Sequence, residues 1–156
     1  MLLKFLITFV LLAATVGMHA VGFSMLVRSL VKKKQVLTKS AIWSHAWLLI
    51  WMAWWLLLIH MAEIAVWGLF YYWQDCFPDA ESAFYFSGVT YTTVGYGDLV
   101  LPEPWRMLAP TEALIGILMA GLSTGLFFAV LHRLLEPYFT EKLPLEPSQP
   151  QEIHDH

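Results

Sequence analysis

The sequence predicts an all-α membrane protein with three spanning helices and a fourth, shorter helix between the second and third. Three observations predict it. Of 156 residues, 58% are apolar and 13% are charged, against about 25% charged in ordinary soluble domains, and the mean hydropathy is +0.60. A hydrocarbon core of about 30 Å takes about 20 helical residues to cross, and three runs are long enough: Phe5 to Leu30, Ile42 to Phe70, and Trp105 to about Leu135. A fourth run, Ala80 to Tyr91, is too short to span and reads as a re-entrant segment, which survives at membrane depth only where it lines a cavity or is buried in protein.

Residues 1–31 form the first predicted helix. Lys4, the apolar run and the small residues near Met18-His19-Ala20 have the features of a secretory signal. Apolar character continues through Val31, however, and the basic cluster follows the run rather than preceding it. The stretch is therefore an additional N-terminal transmembrane helix, with Gly17 and Gly22 placed for close approach to a neighbour.

Arg28, Lys32, Lys33, Lys34 and Lys39 crowd the link at 32–41, whereas no Lys or Arg occurs from residue 40 through 105. The positive-inside rule makes that link cytoplasmic. The amino terminus is then external, the loops on either side of the short segment face outward, and the carboxyl terminus is cytoplasmic. On the second helix, 42–72, Trp43, Trp47, Trp51 and Trp55 form a stripe that either receives the first helix or faces lipid.

Asp79 is placed to cap the short helix, 80–91, and Glu81 lies near the positive end of its dipole. After it comes Thr92-Thr93-Val94-Gly95-Tyr96-Gly97-Asp98. Glycines at 95 and 97 permit backbone angles closed to other residues, so successive carbonyls can turn toward one axis. One such segment cannot surround an ion, so several chains must associate, and closed rings are the common solution. Asp75, Asp79, Glu81, Asp98 and Glu103 make the external side acidic, which is either a field that concentrates cations or, for all but Asp98, an ordinary solvated loop.

Thr93 to Asp98 resembles the selectivity filter of the potassium channel superfamily, where backbone carbonyls replace the hydration shell of the ion. The match to the small bacterial pore-only type, with one extra N-terminal helix, extends more loosely to Trp105 and to Gly116-Ile117-Leu118-Met119-Ala120-Gly121-Leu122. The resemblance implies a pore module at 42–138, with outer helix 42–72, pore helix 80–91, filter 93–98 and inner helix 105–136. It implies a homotetramer in the cell (inner) membrane, among lipids, passing K+ as the transported ion. The carbonyls of Thr93, Val94, Gly95 and Tyr96, with the Thr93 hydroxyl, would hold the K+, and Gly97 completes the turn of the chain. No enzyme activity, cofactor or nucleic-acid partner is expected; an unknown regulatory partner is left open.

Around the filter, Tyr85 and Phe86 take the positions of an aromatic pair in relatives, with Tyr85 placed to donate to Asp98. Val89 stands where the proton-gated bacterial channel has a carboxylate, which leaves filter support to Tyr85. Glu63 resembles an acid that satisfies backbone amides near the junction of outer helix and pore in voltage-gated relatives. Glu112 is expected at the membrane interface. Gly116 is the hinge candidate, with Gly121 and Gly125 competing and close packing as the plain alternative. Phe128 falls where relatives narrow and is a gate candidate or a packing residue. His132 and Glu136, four apart, are a candidate pH sensor or two exposed residues.

No helix carries the regularly spaced basic residues of a voltage sensor, and the tail at 139–156, rich in Pro, Glu and Gln, is expected to be disordered. Lone Cys76 is either a free thiol or an intersubunit partner. Two other readings remain: a poorly selective cation channel, and a membrane metal- or haem-binding redox protein using His19, His45, His60 and His132, with His60 and Glu63 three apart as ligands. The predicted depths place no two of these histidines opposite each other.

Overall fold

The computed structural model describes residues 2–32 and 42–140. Most of the basic link and nearly all of the tail therefore lie outside the described residues. The described chain forms α1 (Leu2–Lys32), α2 (Ile42–Trp73), α3 (Ala80–Tyr91), a 3-10 turn at Glu103–Trp105 and α4 (Leu108–Thr140). Three of the four helices are long and apolar enough to cross a membrane.

The first two helices run within a residue of the expected 1–31 and 42–72. The last differs more: it begins at Leu108 rather than 105 and continues to Thr140, past both 136 and the expected start of the tail. Its start is displaced because Glu103-Pro104-Trp105 closes a 3-10 turn of its own. Pro110 then sits in the first turn of α4, where its missing N–H breaks no helical bond.

α1 runs antiparallel to α2 and parallel to α4. Thr15, His19 and Gly22 meet Trp67, Glu63 and Trp55 in reverse order along α2, while the Lys4 ammonium lies 5.8 Å from the Trp105 ring centre at the start of α4. Of the two expected close approaches, Gly22 is real: a Cβ there would come within 2.7 Å of Ile59. Gly17 faces open space. The tryptophan stripe divides as well, since Trp55 reaches α1 whereas Trp43 and Trp47 are exposed.

α3 packs between α2 and α4. Asp79 caps it as the sequence suggests, its carboxylate accepting from the Ser82 amide at 2.7 Å. Gly68 of α2 admits Phe84 of α3, whose Cα would stand 3.2 Å from a Cβ at that position. Two apolar clusters result. One gathers Trp67, Tyr71, Phe77, Phe86, Leu108 and Met119; the other gathers Leu26, Leu30, Met52, Ile59 and Leu134. Between them lies a layer of buried polar side chains.

Candidate functional site

Thr93 to Gly97 is the only place among the described residues where positive φ recurs at alternate positions. Thr93, Gly95 and Gly97 have φ of 62°, 49° and 78°, and the residues between them do not share that sign. Alternation of this kind cancels the pleat, so neighbouring carbonyls no longer point to opposite sides. Glycine adopts left-handed angles freely; Thr93 does so at a cost and is held by its amide, which donates to the Thr90 carbonyl at 2.9 Å. The Gly95 amide donates to the Val89 carbonyl at 3.0 Å. The segment thus hangs from the last turn of α3, and its residues are exposed, Tyr96 at 72%.

At its end, the Tyr85 hydroxyl donates to Asp98 at 2.8 Å. That bond raises the Tyr85 hydroxyl above the ordinary phenol range. Nearby in the loop after α2, burial and then the Asp75 carboxylate push the Cys76 thiol up.

The polar layer is the second constellation, and the sequence pattern hides most of it. Glu63 is fully buried. Its two oxygens meet His19 Nδ1 at 2.9 Å and His60 Nδ1 at 3.3 Å, and the Tyr91 hydroxyl donates to it as well. His60 Nε2 lies 3.0 Å from Ser123 Oγ. All four helices therefore contribute a side chain. The expectation that Glu63 serves backbone amides is corrected: its partners are side chains, because it points into the helix contacts rather than toward a chain end. The expectation that no two histidines face each other is corrected too, since the His19 and His60 rings lie 5.5 Å apart. The antiparallel placement of α1 brings residue 19 to the depth of residue 60.

Glu112 is likewise not at an interface. It is completely buried, accepting from Tyr71 at 2.7 Å and Ser87 at 2.5 Å, and so joins α2, α3 and α4. Gly116 lies against the end of α3, where a Cβ would collide with the Tyr91 carbonyl oxygen and stand 3.0 Å from its carbon. Gly121 and Gly125 meet nothing within 4 Å. Phe128 is exposed, with its ring 6.5 Å from that of exposed His132. Neither touches the Thr93–Gly97 segment.

Residues 59–133 match the family model described as Ion channel. The matched stretch runs from the middle of α2 through most of α4 and leaves α1 outside it. Over these residues the chain is similar to ion-channel domains, and that similarity together with three helices of spanning length supports a membrane protein. No curated protein and no solved structure matches the chain.

Proposed function

We propose that the chain is a potassium-selective channel that passes K+ down its gradient through a homotetrameric pore in the cell membrane. The alternating left-handed angles at Thr93, Gly95 and Gly97 carry this reading. They give one short segment a line of main-chain oxygens that four copies around an axis would stack into cages. The carbonyls of Thr93, Val94, Gly95 and Tyr96 and the Thr93 hydroxyl are the ligands, and they offset the ion's lost hydration.

Two features support an assembly. The segment is exposed in the single chain, with Val94 and Tyr96 at 51% and 72%. Beside it lies a hollow of about 310 Å³ lined by Val89, Thr90, Thr93, Gly95, Gly97 and Ala113, so one chain alone does not brace its filter. A neighbouring copy supplies the missing wall.

α3 acts as the pore helix. Its first turn is stabilised by Asp79 and Glu81, and its carboxyl end, which carries partial negative charge, faces the cavity below the filter, where a cation gains from it. Glu103, Asp98 and Asp79 on the outer side draw cations toward the entrance. Asp98 is fixed by Tyr85 rather than by a carboxylate on α3. In α4, Gly116 serves close packing against Tyr91, and Phe128 is the residue proposed to narrow the inner mouth.

Purified protein in liposomes loaded with K+ tests the reading by uptake of radioactive rubidium. Uptake that survives excess external Na+ and is blocked by Ba2+ is the expected result. Uptake abolished equally by Na+ and K+ competition identifies a non-selective cation pore, and no uptake at all overturns the proposal.

A further inference from the structure

We propose that His19, His60 and Glu63 form a binding site for a divalent transition metal of the zinc class, closed by the Tyr91 hydroxyl, which ties α1 to α2 and α3. One donor atom from each of the three residues lies within 4.8 Å of the others. The Nδ1 atoms of the two histidines stand 2.9 and 3.3 Å from the two Glu63 oxygens. Ligands of a tetrahedral zinc with bonds of about 2.0–2.1 Å lie roughly 3.4 Å from one another, so small side-chain adjustments bring this set around one ion.

Charge makes the same demand. A carboxylate buried at this depth needs a cation beside it. Lys4, Arg28 and Lys32 sit at the ends of α1, Arg133 lies near the far end of α4, and no Lys or Arg occurs between residues 40 and 105. The positive charge opposite Glu63 therefore comes from an imidazolium or from a metal ion. A single protonated histidine would suffice for the first, yet two converge on the same carboxylate. Ser123 Oγ, 3.0 Å from His60 Nε2, is placed to accept the outer ring N–H, which leaves the Nδ1 lone pair directed at the centre, the usual arrangement of a metal-ligating histidine. His19 is 2% exposed and its Nε2 has no hydrogen-bond partner. Its Nδ1 is turned to the centre it shares with Glu63 and His60, and its ring packs 6.0 Å from that of Phe23.

Two imidazoles and a carboxylate suit zinc, cobalt or nickel rather than magnesium or calcium. On binding, the metal displaces any proton held between the ring nitrogens and Glu63, because nitrogen ligates only with its lone pair. The site stands independently of ion conduction, so its test needs no flux measurement.

Full-length protein carrying His154→Gln and His156→Gln, so that the tail offers no imidazole, is titrated with Co2+ and separately loaded with Zn2+, desalted and analysed for metal. The expected result is about one metal per chain with the absorption of a four-coordinate cobalt site. Adding His19→Gln or His60→Gln lowers the affinity by roughly tenfold or more, while His132→Gln leaves it unchanged. Absence of the cobalt absorption in the parent overturns the proposal, whatever the folding of the variants, and so does equal affinity with and without His19. A site satisfied by a proton alone gives the first of those outcomes.

Discussion

The Thr93–Gly97 segment and the layer around Glu63 solve opposite problems with opposite materials. The first is main chain, contiguous and exposed, and its side chains matter less than the sign of φ at three alternate residues. The second is side chain, drawn from four helices and largely buried, with His19, His60 and Tyr91 disposed around one carboxylate and Ser123 behind His60. A backbone site is damaged by changes in conformational freedom and tolerates changes of polarity; a side-chain site responds the other way. Five perturbations test that contrast.

The largest effect is expected from Gly95→Ala. A Cβ there meets nothing within 4 Å, so the whole penalty is backbone strain at φ of 49°, about 1–2 kcal/mol per copy. Repeated around the proposed fourfold axis it should abolish rubidium uptake while leaving the far-ultraviolet dichroism of the helices intact. Normal uptake in this variant would remove the backbone argument.

Next, Glu63→Ala leaves His19 and Tyr91 without their shared acceptor. Each buried group so orphaned costs about 1–3 kcal/mol, and the lowered thermal unfolding midpoint in detergent measures the sum. The double variant with His19→Ala should lose less than the two single losses combined, since the pair shares one interaction. Strict additivity would mean that α1 is not held by this layer.

Gly116→Ala drives a methyl group into the Tyr91 carbonyl, and overpacking of this kind costs about 1–3 kcal/mol. Gly121→Ala and Gly125→Ala, which meet no atom, should be neutral or slightly stabilising in the same assay. Were the three variants alike, close packing would not explain Gly116.

Much of the fold is legible in the sequence, because a spanning helix announces itself by length and apolarity alone, as 1–31 and 42–72 do, and 80–91 stands apart by being too short. The Thr93–Asp98 segment was readable for a similar reason: its residues are adjacent, and Gly95 and Gly97 mark the angles directly. The polar layer was not. Glu63 and His60 show as a pair on one helix, but nothing in the spacing of α1 tells that residue 19 comes to their depth. Glu112 reads as interfacial because it lies one turn into α4; the packing of α2 and α3 against that turn, through Tyr71 and Ser87, encloses it. The late start of α4 follows from Pro104, which sits in the separate 3-10 turn and which an apolar run counted from Trp105 leaves out.

Tyr85→Phe is expected to act more gently. It removes one exposed hydrogen bond to Asp98, weakened by competition from water, and should narrow the discrimination of rubidium over sodium without stopping uptake. Unaltered discrimination would show that Asp98 is held by other means.

The smallest effect concerns Cys76. Its thiol is raised by burial and by Asp75, and because only the thiolate reacts, alkylation should lag behind that of a free cysteine and accelerate at higher pH. Asp75→Asn removes the carboxylate's part of the shift and should move the onset of reaction to lower pH. Alkylation as fast as in an unfolded peptide at the same pH would contradict the shielding.

Thr15, His19 and Gly22 follow one another at i, i+4 and i+7 along one face of α1, each bonded to a different residue of α2. A piston-like slide of α1 by a single residue, about 1.5 Å, would break all three bonds together in a medium with no water to replace them. The three bonds consequently tie the two helices along about two turns. A lean of one helix that keeps these bonds carries the other with it, and Tyr91, which donates to Glu63 of the pair, stands two residues ahead of the suspended oxygen-bearing segment.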